Sequence, residues 1–208
     1  MIRKNALLFK LFQTNTSSKN LFSKFMDCVC PEIETCPACK AKGKLHVHCY
    51  YRRLLTDFIH GHCVTHELTI TRMICDSCHS THAILPDFII PYCSYSLFFM
   101  FRVLSEYFYR SASVEHLCER FSITQKQLYK WIRLWKTHKE QWLGFLRNLK
   151  TDDVSFLESL RGMEHFSEFS SDFVRSFSFS FLQSHANPKT ARYCQTVFAP
   201  DYHFELTT

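Results

Sequence analysis

CPACKAKGKLHVHCYYRRLLTDFIHGHCVTHELTITRMICDSC, residues 36–78, is the stretch on which the reading of this chain turns. It opens and closes with a C-x-x-C pair, Cys36-Pro-Ala-Cys39 and Cys75-Asp-Ser-Cys78, separated by 35 residues. Two residues between thiols let both sulfurs reach one ion at about 2.3 Å, and two such pairs complete a tetrahedron. Zn²⁺ suits four thiolates because it is redox-inert and imposes little geometry of its own. Free cysteines are also common as small buried hydrophobes, but paired C-x-x-C motifs bracketing a hairpin are a more specific arrangement. Cys36, Cys39, Cys75 and Cys78 are therefore the expected ligands of one structural Zn²⁺. Cys28, Cys30 and the nearby histidines remain open as further ligands, with His79 a candidate for hydrogen bonding to a ligand. Four protein ligands leave no position for a substrate, so such a metal organises structure.

Between the pairs, Leu45, Val47, Cys49 and Tyr51 alternate with more polar neighbours, as do Leu68, Ile70 and Arg72 with theirs. Period-two alternation predicts strands, and Asp57 with His60-Gly61-His62 offers the turn, so a β-hairpin is expected, closed afterwards by Pro86 and Pro91. Downstream the period becomes helical. Leu97, Phe98, Phe101, Leu104, Tyr107 and Phe108 share one side of a helix after Ser94 or Ser96; a second helix fits Val114 to Phe121 and a third Gln125 to about His138. Thr124 followed by Gln127 three residues later is a capping box for the third. The segment from Gln141 to Phe181 reads as further short helices, rich in Phe and Ser, followed by a tail of little period from Ser184.

Residues 113–135 have the layout of a helix-turn-helix: Leu117 and Phe121 face inward, Ile123 plugs the turn, and Leu128, Trp131, Ile132 and Trp135 form the buried stripe of the second helix. Gln125, Lys126, Tyr129, Lys130 and Arg133 fall on the opposite side, where amide, hydroxyl and cationic groups would meet base edges and phosphates. From Arg120 to Lys150 there are eight Lys or Arg and one acid, Glu140, which fits DNA better than an ordinary solvated face.

The whole chain has 208 residues and a formal charge of +6, which permits a nucleic-acid partner without proving one. Its eleven cysteines are an odd number, and Lys10 interrupts the apolar run that a secretory signal would need, so a disulfide scaffold is disfavoured and a reducing, cytoplasmic setting expected. The longest charge-free apolar stretch, Phe88 to Phe101, is too short to span a bilayer and contains Pro91. No catalytic constellation is expected: Asp152, Asp153, Glu158, Glu164, Glu168 and Asp172 crowd into a Phe- and Ser-rich helical stretch with no strand signal around them.

CPAC, HVHCYYRR and TRMICDSCHSTHAILPDFIIPY, followed by the helical segment and a tail with FLQ, resemble an uncharacterised bacterial family of mobile-element-associated proteins. That family is similar to the N-terminal zinc-ribbon and helix-turn-helix region of insertion-sequence transposases. The resemblance covers roughly residues 33 to 185, and the T-H-x-x-L-P run at Thr81 to Pro86 is among its most specific pieces. It implies the same four cysteine ligands and, by analogy, DNA recognition beside a transposase or recombinase.

The expectation is thus an α+β, mostly helical protein: a basic lead-in over 1–27, a zinc ribbon over 28–91, a helix-turn-helix region over 92–150, and a helical segment with an irregular tail over 151–208. The expected function is non-catalytic, zinc-dependent DNA binding, as a transposition accessory or regulator. The alternative is a zinc-stabilised module that docks another protein.

Overall fold

The computed structural model describes residues 2–4, 17–147, 150–161 and 163–184. Residues 1 and 5–16 of the basic lead-in and nearly all of the expected tail lie outside these residues. The chain divides into two compact units, Met1–Ser96 and Leu97–Thr208.

The first unit is a four-stranded sheet in the order β1-β4-β3-β2. β2 (Leu45–Ile59) and β3 (His62–Cys75) form a long antiparallel hairpin. Its turn is the dipeptide His60-Gly61, both residues at positive φ (49° and 85°), as a two-residue turn matching the right-handed twist of the strands requires. β4 (Thr81–Pro86) pairs antiparallel to β3, and β1 (Ile2–Lys4) adds in parallel to β4. Helix α1 (Ser18–Asp27) is amphipathic and buries Leu21, Phe22 and Phe25. Ser17 caps it, and the backbone N–H of Ser18 donates to Asp57 Oδ2 at 2.7 Å. Asp57, expected in a turn, lies buried within β2, where it also accepts from the hydroxyls of Ser18 and Ser96 at 2.5 and 2.9 Å. These donors satisfy a charge that burial would otherwise make costly.

The second unit is helical: α2 (Leu97–Phe108), α3 (Val114–Arg120), α4 (Gln125–Phe145), α5 (Asp153–Ser159) and α6 (Met163–Phe177). Thr124 caps α4 through a bond from the Gln127 backbone N–H at 3.1 Å. The buried stripe of α4 runs from Leu128 through Trp131, Ile132, Trp135 and His138 to Trp142 and Leu143. Trp135 packs against Phe101, Phe108, Phe156 and Phe181, and its indole N–H donates to Asp153 at 2.9 Å. Trp142 meets Phe169, Phe173 and Phe177 of α6.

The expectation of a mostly helical protein built as a zinc ribbon followed by a helix-turn-helix is overturned. Among the described residues helix accounts for 44% and strand for 25%, and the cysteine-bracketed hairpin is part of a larger sheet completed by β4 and β1. Thr81–Pro86, read only as a motif, is a strand. The third helix does not end near His138: its apolar stripe continues through Trp142 and Leu143, and the aromatic side chains of α6 cover the continuation. Among the described residues α4 therefore packs against α2, α3, α5 and α6 rather than forming half of a two-helix motif.

His138 is buried on α4 among Phe173, Phe179 and Phe181, and its Nδ1 accepts the backbone N–H of Leu182 at 2.9 Å. Desolvation pushes its pKa down to about 4. The unfolded chain takes up this proton near pH 6.5 and the folded one does not, so the stabilising contribution is complete above that pH and is lost as pH falls toward 4. The expected loss is on the order of 3 kcal/mol across that window. All three tryptophans of the chain lie on α4, so urea unfolding followed by tryptophan fluorescence at pH 7 and pH 4.5 reads this unit. His138→Gln should flatten the pH dependence between those two points.

Candidate metal centre

The hairpin brings the two cysteine pairs together. Cys75, the last residue of β3, stands opposite Leu45, the first of β2, so the second pair returns to the end of the hairpin at which the first pair enters. A bulge between Val47 and Cys49 skips His48 and absorbs the mismatch between strands of 15 and 14 residues. The Asp76 backbone N–H, donating to Lys44 O at 2.9 Å, ties the second pair to the lead-in of β2.

Both pairs adopt one backbone design. In the first, Cys36 N–H donates to Ala41 O and Lys40 N–H to Cys36 O, each at 2.9 Å. In the second, Cys75 N–H donates to Ser80 O at 3.1 Å and His79 N–H to Cys75 O at 2.8 Å. The residue after the second cysteine is left-handed in both, Lys40 at φ 65° and His79 at φ 56°. Non-glycine residues rarely hold that conformation, so its repetition after both C-x-x-C pairs marks a shared constraint on the sulfurs. The first loop sits on the Thr35–Lys42 bridge, and Gly43 follows at φ 66°, where a Cβ would stand 3.0 Å from Glu32 O.

The sulfurs of Cys36, Cys39, Cys75 and Cys78 lie within 4.8 Å of one another, with Cys36–Cys78 at 3.7 Å and Cys39–Cys75 at 3.6 Å. A tetrahedron with bonds of about 2.3 Å has edges of about 3.8 Å, so the spacing suits a tetrahedral thiolate-bound cation. A disulfide would need sulfurs near 2.05 Å, and all four are free thiols. Cys36 and Cys75 are buried, Cys78 is half-buried and Cys39 is exposed.

Four thiolates cannot share this volume without a cation, and the protonation equilibria show the conflict. The Ser80 hydroxyl and backbone N–H draw the Cys78 thiol down to about 6. Desolvation opposes ionisation of Cys36, yet the backbone N–H groups of Cys39 and Ala38 bring it below its ordinary value. The Ala41 N–H favours the Cys39 thiolate, but desolvation and the sulfurs of Cys78, Cys36 and Cys75 together push that thiol up to about 12. A bound cation removes the conflict by stabilising all four thiolates at once.

His82 on β4 places Nε2 3.4 Å from Cys36 Sγ. Burial holds its imidazole below the ordinary value, leaving it neutral with one N–H to donate. His79, the candidate for that role, is exposed and serves the backbone turn instead. Cys28 and Cys30 are exposed and outside the cluster, and His46 pairs with Asp76 at 3.0 Å on the surface. The sequence does not single out His82 from the other nearby histidines, because its place beside Cys36 depends on β4 lying beside β3.

The other predicted site residues, Gln125, Lys126, Tyr129, Lys130 and Arg133, all lie exposed along the N-terminal half of α4, in the second unit. Among the described residues no helix is long and apolar enough to cross a membrane.

Purified protein is expected to carry one equivalent of metal per chain, measured by elemental analysis. Cys39→Ser and Cys75→Ser should lose it, whereas Cys28→Ser and Cys30→Ser should retain a full equivalent. His82→Ala should weaken metal affinity about 10- to 100-fold, the usual effect of removing a hydrogen-bond partner of a ligand. Full metal content in Cys75→Ser would remove the four-sulfur assignment.

Residues 36–131 match a family described as a domain of unknown function, DUF6431; the match spans both cysteine pairs, β2 to β4, α2, α3 and the start of α4. It supports similarity to an uncharacterised family, and it carries no link to mobile elements. No curated protein and no solved structure matches the chain.

Proposed function

We propose that this protein is a non-catalytic DNA-binding protein whose sheet unit is held together by a structural Zn²⁺ at Cys36, Cys39, Cys75 and Cys78, and whose DNA contact is the exposed face of α4. The observation that carries the DNA reading is the charge on that face. Lys126, Lys130, Arg133 and Lys136 are all exposed, no carboxylate pairs with any of them among the described residues, and no acid occurs from Gln125 to Lys139. The opposite side of the same helix is buried, which fixes the direction in which these cations face. Tyr129 and Gln125, exposed near the first turns, would lie nearest base edges, and an α-helix fits the major groove.

Three of the carboxylates of the helical unit have other work, which supports a non-catalytic reading. Asp152 caps α5 by accepting from the Ser155 N–H at 2.9 Å. Asp153 accepts from Trp135 and from Lys139, and Asp172 pairs with Arg175 at 3.0 Å. Zn²⁺ is the proposed ion because four thiolates suit its closed tetrahedral site. Under this reading a transposase or recombinase acting on the same DNA is the expected partner.

A protein-docking role is the second reading. It is favoured by Tyr50 and Leu54, 63% and 55% exposed on β2, which is an edge strand of its sheet.

Fluorescence anisotropy with duplex DNA over a range of salt tests the proposal. Binding should weaken steeply with salt, and Lys130→Ala should flatten the slope of log K against log salt by about one unit. Leu128→Ala should instead destabilise the helical unit by about 2 to 5 kcal/mol, because that side chain is fully buried. A Lys126→Ala, Lys130→Ala, Arg133→Ala triple variant that keeps its metal and fold but binds DNA with unchanged affinity and salt slope would exclude α4 as the contact and favour the docking reading.

A further inference from the structure

The metal cluster occupies one face of the sheet; alternation along the strands sends a different set of side chains to the other. On β4, His82 and Ile84 face the cluster side, where Ile84 joins Met73, Cys75 and Phe25 in one core. Thr81, Ala83 and Leu85 alternate onto the opposite side, together with Arg72 of β3, which pairs with Ala83, and with Tyr51 and Arg53 of β2. Here they line a cavity of about 460 Å³, walled on its far side by residues 91–94. The volume is within the range of small-ligand sites.

The lining contains three arginines, Arg52, Arg53 and Arg72, and no acid. Arg52 turns toward Glu67 at the surface, 3.5 Å away. Arg53 donates to the carbonyl oxygens of Ile90 and Cys93, which pins the wall of the cavity, and burial lowers its pKa against the opposing influence of Tyr51 and Cys93. Arg72 is exposed with its guanidinium 5.3 Å from the centre of the Tyr51 ring. Among the described residues neither Arg53 nor Arg72 has a carboxylate within ion-pair distance.

Tyr92 stands at the rim, 89% exposed and at φ 59°. A tyrosine gains nothing for the fold from exposure in a left-handed conformation, and Arg53 holds the loop that imposes it. An uncompensated cationic pocket calls for an anion; flat aromatic faces at its wall and rim call for a flat ring attached to it. Arginine beside tyrosine is the combination that recognises phosphate together with a stacked base.

We propose that this cavity binds a nucleotide, with its phosphate on Arg72 above the charge of Arg53 and its base stacked against Tyr51 or Tyr92. The shared chemistry is a phosphate joined to a nucleobase, whose source is either a free mononucleotide or one unpaired nucleotide of a single strand. The site is independent of α4, because every residue lining it belongs to the first unit.

Isothermal titration of the full, metal-loaded chain with each of the four deoxynucleoside 5′-monophosphates, with thymidine, with inorganic phosphate and with a ten-nucleotide oligothymidylate tests this. At least one mononucleotide should bind more tightly than either thymidine or inorganic phosphate. Arg72→Gln should weaken it about tenfold, as expected for loss of one charge-assisted contact. Tyr92→Gly is the decisive variant: it relieves the backbone, so metal content and stability should hold or improve, while nucleotide affinity falls. The α4 triple variant should bind the mononucleotide as the parent chain does. A mononucleotide that competes with the oligothymidylate for the site identifies a strand as the source, and binding of the mononucleotide alone identifies the free nucleotide. Absence of nucleotide binding, equal binding of inorganic phosphate, or unchanged affinity in both Arg72→Gln and Tyr92→Gly would overturn the proposal.

Discussion

The register of the β2–β3 hairpin is the constraint on which the first unit depends. Because side chains alternate faces, sliding β3 by one residue would move Cys75 to the face that carries Arg72, and Arg72 to the face that carries Met73. The sulfur cluster and the arginine cavity would be lost together. The His60-Gly61 turn fixes the register at one end and the Asp76–Lys44 bond holds it at the other, with the bulge at His48 reconciling the two. A cation joining Cys36 and Cys39 to Cys75 and Cys78 would lock the same register from outside the ladder, so sheet geometry and metal chemistry reinforce one alignment.

The helical unit depends on a different device. α4 carries tryptophans at 131, 135 and 142 on one stripe, and phenylalanines from α2, α5, α6 and the segment after α6 fill the space around the last two. Aromatic rings bury large areas with few rotatable bonds, which suits a unit built from short helices. Polar anchors orient that packing: Asp153 receives both the Trp135 indole and Lys139, and His138 receives the backbone of Leu182. The exposed half of α4 is free of such duties, and its cations face solvent.

What could be read from the sequence was local. The cysteines of each pair have two residues between them, the hairpin turn is a Gly-containing dipeptide, and the cap of α4 is spelled by Thr124 and Gln127; each signal spans a few residues. What could not be read was carried by contacts distant in sequence. Ile2 pairs with Ile84, and His82 reaches Cys36 only because β4 joins the sheet. Thr81–Pro86 is short, and its ending in proline resembles a closing signal more than a strand. The same distance effect set the end of α4, since the residues that bury Trp142 come from α6. Arg53 and Arg72 looked like surface charge in the sequence, and only the course of residues 90–94 turns their face of the sheet into a cavity wall.

The two-residue turn at His60-Gly61 also sets an order of events during folding. A hairpin closes most readily where the loop to be closed is shortest, so pairing starts at Ile59 and His62 and zips outward. The four sulfurs lie at the opposite end and converge last. A cation bound there would arrive after most of the ladder has formed, and its capture would retard unfolding more than it hastens folding. A cation held by the four sulfurs would in this sense be a latch on lifetime: a cell that starves the protein of metal would still make the hairpin, but would hold it for a shorter time.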